Sequence, residues 1–125
     1  MILNEEQQMM RDAARDFAQE QLAPNADAWA KLGAVPIEVL HAMGELGFMG
    51  MTVSEEWGGV GSDYVSYALA LEEIAAGDGA TSTIMSVNNA PVCAALLKNG
   101  SEEQKEEFLS PLARGEKIGA FCLTE

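Results

Sequence analysis

The side chains able to do chemistry are few, and their spacing does not serve it. His41 is the single histidine, and no second ligand type stands at metal-binding distance along the chain, so it reads as a surface or helix-packing residue with no metal. Cys93 and Cys122 are the only thiols. Both sit among apolar neighbours, which predicts buried free cysteines in a reducing, cytoplasmic protein. No Ser-His-Asp set and no Cys/His pair can be assembled. Asp and Glu total 20, yet Glu72-Glu73 and Glu102-Glu103 fall on helical stretches where a solvated face explains them. Trp57-Gly58-Gly59-Val60-Gly61-Ser62 has the glycine density of a phosphate loop. No Lys-Ser/Thr follows and no strand precedes, so it reads as a turn between helices. The seven methionines, at helical spacing, read as core filling.

Two features resist so plain a reading. From about Thr81 to Leu97 the chain has helical character with no charged residue between Asp78 and Lys98. A helix without a charged face is buried on several sides or lacks a partner. Asn88-Asn89 in its middle need hydrogen-bond partners if buried. Then Ile118-Gly119-Ala120-Phe121-Cys122-Leu123 changes character and reads as the first strand of something further. A lone strand in a helical domain is not stable, so the expectation is a truncated chain.

The elements that must position these features are helices. Asn4 with Gln7 reads as a capping box, followed by an apolar stripe of Met10, Ala13, Ala14, Phe17 and Ala18. Pro24 marks a kink or a break near Leu22-Ala23, with the helix resuming through Trp29. Ile37, Leu40, Met43 and Leu46 form a second stripe, closed by Gly47 at C′. Ser62 or Asp63 caps a third helix with Tyr64, Ala68, Leu71 and Ala75 or Ile74 facing inward, ended by Gly77-Asp78-Gly79. The uncharged helix follows, broken or bent near Pro91. Ser101-Glu102-Glu103-Gln104 is a second capping box, for a short helix that stops around Leu109-Pro111.

Apolar residues make up 48% and charged residues 22% of 125, which suits one globular domain. The net charge of −13 argues against sequence-independent nucleic-acid binding and against polybasic attachment to membranes. No apolar run approaches the ~18 residues of a membrane span, and Met1-Ile2-Leu3 leads straight into Asn4-Glu5-Glu6 without the pattern of a leader.

In order along the chain, Phe17-Ala18 with Pro24, Leu46-Gly47-Phe48-Met49-Gly50, Glu56-Trp57-Gly58-Gly59-Val60-Gly61 and Glu72-Glu73-Ile74-Ala75 form a recognisable series. Gly100-Ser101-Glu102-Glu103-Gln104-Lys105, then Leu112, Gly115 and Phe121-Cys122-Leu123-Thr124-Glu125, complete it. The chain resembles the N-terminal helical domain of the acyl-CoA dehydrogenase family, most of all its short-chain, butyryl-type members. The resemblance implies an all-α domain, an orthogonal or up-down bundle of about five or six helices, ending in the first strand of a missing β-domain. Residues 1–117 would be the helical domain and 118–125 the start of the middle β-domain.

The resemblance also implies an oxidoreductase of fatty acid metabolism: an FAD flavoprotein that desaturates acyl-CoA between its α and β carbons, with its catalytic base a Glu downstream of this chain. The fragment alone is then non-catalytic. Two contributions remain to it. Phe121, Cys122, Leu123 and Thr124 would touch the flavin edge, and Thr83, Ser86, Val87 and Ala90 would line the acyl pocket. In longer-chain relatives a smaller residue tends to stand where Val87 does. Electron-transferring flavoprotein would dock near the first helix and Gly59-Val60-Gly61, and the full-length protein would be a homo-oligomer, dimer or tetramer. The rival readings are an acyl-CoA oxidase or related flavoprotein on the same scaffold, and a non-enzymatic acidic helical adaptor.

Overall fold

The computed structural model describes residues 1–124. Helices dominate it, and no strand occurs among the described residues. Six continuous helical rods follow one another. α1 (Glu5–Phe17) runs on through a π-helical turn, Ala18–Leu22, and α2 (Ala26–Leu32) follows after the turn at Pro24. α3 (Ile37–Glu45) is separated from α4 (Tyr64–Gly77) by a long loop that contains a short 3₁₀ turn, Glu55–Trp57. α5 (Gly79–Val87) passes through a second π segment, Asn88–Cys93, into α6 (Ala94–Asn99). The last rod is α7 (Glu102–Gln104), a π turn Lys105–Leu109, and α8 (Ser110–Ala113).

Local chemistry accounts for most of the ends. Both capping boxes form: Asn4 Oδ1 accepts the N–H of Gln7 at 2.8 Å, and Ser101 Oγ accepts that of Gln104 at 3.2 Å. Gly47 follows α3 at φ +87°, a left-handed C′ position that residues with a Cβ avoid. Asp78 ends α4 and starts α5 at once, its carboxylate accepting the N–H of Thr81 at 2.9 Å. Pro91 lies inside the π segment rather than breaking the rod. Pro111 likewise opens α8 near its first turn, so the last helix continues to Ala113 instead of stopping before it.

α4 packs along α1 and its π turn, and α5 packs on α4. The main core joins Ala14, Ala18 and Leu22 of the first rod to Leu40, Met43, Ala70, Ile74 and Met85, with Phe48, Met49 and Met51 from the loop. A smaller core gathers Val53, Cys93, Leu109, Leu112 and Ala113. Four of the methionines, Met43, Met49, Met51 and Met85, are fully buried, as core filling requires.

Several expectations need correction, beginning with the stripes of the first two helices, where Ala13, Ile37 and Leu46 are exposed. The buried face of α4 is Ser66, Ala70, Ile74 and Gly77, while Tyr64 is 72% exposed and Ala68 and Ala75 lie outside. Apolar residues cover most of that helix, so periodicity does not select a face; close approach to α1 does, with a Cβ on Gly77 standing 3.0 Å from the Ala18 methyl. Cys122 is exposed, and only Cys93 is buried. Residues 118–124 form no ladder among the described residues, because a strand requires a partner to pair with. Glu125, the last residue of the closing motif, lies outside the described residues.

Candidate functional site

The loop from Phe48 to Val53 is irregular yet almost wholly buried, so its backbone polar groups need partners. Asn88 and Asn89, both 0% exposed, supply them. Asn89 Oδ1 accepts the N–H of Met51 at 2.8 Å, and its Nδ2 donates to the carbonyls of Phe48 and Met85 at 2.8 and 2.9 Å. Asn88 Nδ2 donates to the carbonyls of Met49 and Leu112 at 2.8 and 3.1 Å. The need for partners was visible in the sequence; their identity was not.

These bonds fix which way the uncharged rod faces. Thr81, Met85, Asn88 and Asn89 point into the protein. The other side carries the four residues expected to line an acyl pocket: Thr83 and Ala90 are exposed, and Ser86 and Val87 are half-buried. Thr83 and Ala90 are therefore open, while the domain's own residues cover part of Ser86 and Val87. Thr83 Oγ1 donates to the carbonyl of Gly79 at 3.1 Å, so its one polar group is turned onto its own backbone. A groove of about 490 Å³ flanks Thr83 on the side of Trp29, Val35 and Ile84, and one of about 450 Å³ runs between α4 and α5 past Leu71, Thr83 and Ser86. The first is lined mainly by apolar side chains, whereas the second mixes Ala68, Leu71 and Ala75 with Glu72, Ser82, Thr83 and Ser86.

The closing segment starts from the same rod, where the Gly119 N–H donates to Asn88 Oδ1 at 2.8 Å. Phe121 and Leu123 are 56% and 79% exposed, and Cys122 and Thr124 are exposed as well. The glycine-rich loop has no such openness. The N–H groups of Gly59, Val60, Gly61 and Ser62 donate to the carbonyls of Ser54, Gly50, Val53 and Met51 at 3.2, 3.0, 2.8 and 2.7 Å, which leaves no amide cradle for a phosphate. Among the described residues no metal-binding cluster occurs, and no helix is long and apolar enough to cross a membrane.

A sequence model of the acyl-CoA dehydrogenase N-terminal domain matches residues 4–116. The chain belongs to the acyl-CoA dehydrogenase family. It is 45% identical over 98% of its length to the mitochondrial short-chain specific acyl-CoA dehydrogenase of Rattus norvegicus, covering 30% of that protein. The short-chain specific acyl-CoA dehydrogenase of Clostridium acetobutylicum is 42% identical over 98% of this chain and 32% of its own. Among solved structures, butyryl-CoA dehydrogenase from Megasphaera elsdenii superposes with a TM-score of 0.93 at 35% identity, over 100% of this chain and 33% of that one. A chain from the structure of the electron transferring flavoprotein of Acidaminococcus fermentans superposes at 0.95 with 40% identity, again over 100% and 33%. The chain thus spans about a third of the length of the relatives it matches, and it corresponds to the N-terminal helical domain of that family.

Within that domain, sequence reasoning missed two contacts. Arg15 of α1 forms a two-pronged ion pair with Glu73 of α4, at 2.7 and 3.2 Å, so Glu73 is not simply solvated. Tyr67 places a buried hydroxyl with no hydrogen-bond partner beside Ser86, and burial raises its pKa. An aromatic residue on an apolar helix gives no sign in the sequence of where its hydroxyl ends.

Proposed function

We propose that the full-length protein is an FAD-dependent acyl-CoA dehydrogenase that introduces a double bond between the α and β carbons of short-chain acyl-CoA thioesters. The observation that carries the reading is the outward wall Thr83, Ser86, Val87 and Ala90 on a rod with no charge from Gly79 to Leu97, with Gly119, two residues before the exposed Phe121–Thr124 segment, seated on Asn88 and Val92 of that rod. FAD, when bound, supplies the acceptor for the β-hydride as the α-proton leaves.

What this chain does is bind, orient and exclude water. The wall offers the acyl chain an apolar surface, each methylene buried against it being worth ~0.8 kcal/mol. Val87 and Ser86 close the end of the slot. The Thr124 hydroxyl and the backbone around Cys122 and Leu123 hydrogen-bond the polar edge of the flavin. Neither a general base nor a pyrophosphate cradle belongs to this domain, so the fragment alone is non-catalytic. The phosphates of CoA avoid a surface of net charge −13 and are held elsewhere in the protein. On this reading residues 118–125 open the middle β-domain.

Electron-transferring flavoprotein is the partner we assign as acceptor. A groove of about 550 Å³ between α1 and α3, floored by Phe17, Val39, Ala42 and Leu46, supports docking at the first helix, and Leu46 continues toward Gly58 and Val60. The protein works as a dimer or tetramer in a reducing compartment, the cytoplasm, in keeping with two free thiols of which one is exposed. Expressing the full-length gene product tests the whole reading. It should purify yellow and oxidise butyryl-CoA with electron-transferring flavoprotein as acceptor; colourless, folded protein inert toward every acyl-CoA from four to twelve carbons would refute it.

A further inference from the structure

Gly119, two residues before Phe121, is held from both sides by a single turn of the π segment. Its N–H donates to Asn88 Oδ1 at 2.8 Å. Its Cα packs so tightly on Val92 that an added Cβ would stand 2.6 Å from Cγ1 and 3.0 Å from Cβ of that valine. Val92 is β-branched and has little rotamer freedom to move aside. Asn88 is itself immobilised by its bonds to the carbonyls of Met49 and Leu112. The neighbouring residues of the same stretch, Val87 and Ala90, belong to the outward wall. A π turn inside an α-helical rod commonly marks a functional position, and here it turns one side to the slot and the other to the closing segment.

We propose that Asn88 and Val92 are positioning residues that set the flavin-edge segment Phe121–Thr124 against the acyl wall, so that one turn of helix fixes the spacing between flavin and substrate. This rests on the flavoenzyme reading above. Asn88 acts through Gly119 and touches neither ligand.

A purely structural role is separable, because Asn88 holds the core by its nitrogen and the segment by its oxygen. In the full-length protein, Gly119→Ala leaves the Asn88 bonds to Met49 and Leu112 in place but forces the segment off Val92. It should shift the visible flavin absorption or the flavin potential and raise the FAD dissociation constant about tenfold, equivalent to ~1.4 kcal/mol. It should also lower kcat with KM within about twofold, while Tm falls little. Asn88→Asp keeps the acceptor for Gly119 and loses both donors, so its Tm should fall while whatever folds keeps the parent's flavin spectrum. If Asn88→Asp fails to fold, Gly119→Ala decides alone. A Gly119→Ala protein with the parent's FAD affinity, flavin spectrum and kcat overturns the assignment even though the enzyme is active. A parent protein that takes up no FAD overturns the enzymatic reading and this inference together.

Discussion

Asn89 Oδ1 and the backbone N–H of Met51 meet at 2.8 Å across 38 residues of sequence, inside a site that water does not reach. The same amide donates to Phe48 and Met85, so every polar atom of this side chain serves a buried backbone group. Asn89→Ala strands the Met51 N–H and the Phe48 carbonyl, while the Met85 carbonyl keeps the backbone N–H of Asn88, and should cost ~2–4 kcal/mol. Asn89→Leu should do no better, because the partners stay buried and polar. Urea denaturation of the full-length protein measures it; a loss under ~0.5 kcal/mol would show that the loop finds other partners.

Asp78 caps α5 while ending α4, and its carboxylate takes both the N–H and the hydroxyl of Thr81. Asp78→Ala should lose ~1–2 kcal/mol, and Asp78→Asn, which retains an acceptor, clearly less. Equal losses for the two variants in thermal denaturation would remove the cap from the account.

The two thiols should behave differently. Burial pushes Cys93 up to about 12 from its ordinary 9.0, while Cys122 is exposed. A thiol reagent at pH 8 should therefore modify one cysteine per native chain and two after unfolding. The folded-state pKa is raised, so the contribution of Cys93 is complete below pH 9 and is lost as pH rises toward 12, at up to ~1.4 kcal/mol per pH unit. Cys93→Ala should flatten that alkaline decline, a difference that stability curves at pH 8 and pH 11 would reveal.

Val87 should limit acyl-chain length in the full-length enzyme. A methylene that fits adds ~0.8 kcal/mol, whereas one forced against a filled floor costs ~1–3 kcal/mol, so the optimum should fall at about four to six carbons. Val87→Gly should move the kcat/KM optimum to longer chains. If a folded, FAD-loaded variant keeps the parent's profile from four to twelve carbons, the wall does not line the slot.

What the sequence revealed was mostly short-range. The capping boxes at Asn4 and Ser101 close over three residues, so their partners stand beside them in the chain. The missing charge from Gly79 to Leu97 left two readings open, burial on several sides or a missing partner, and the rod buries Thr81, Met85, Asn88 and Asn89 while Thr83 and Ala90 are exposed. The buried side of α4 was hidden because its apolar residues run nearly all round, and only the approach of Ala18 to Gly77 chooses among them. Asn88 and Asn89 announced a need, but Met49, Met51 and Leu112 lie 24 to 39 residues away in sequence. Apolar neighbours placed Cys122 inside for the same reason: local composition does not distinguish a segment that is covered from one that awaits cover.

The junction at Asp78 has no linker, and that sets a limit on how this chain can vary in length. Each residue added to a helix turns everything beyond it by roughly 100°. One extra residue at the start of α5 would put Ser82 and Met85 in the places of Thr83 and Ser86, bringing the buried Met85 out. Two would turn the wall most of the way into the core. Insertions and deletions in relatives with a working slot should therefore cluster in the loop between α3 and α4 or beyond Asn99, leaving the count from Tyr64 to Ala90 unaltered.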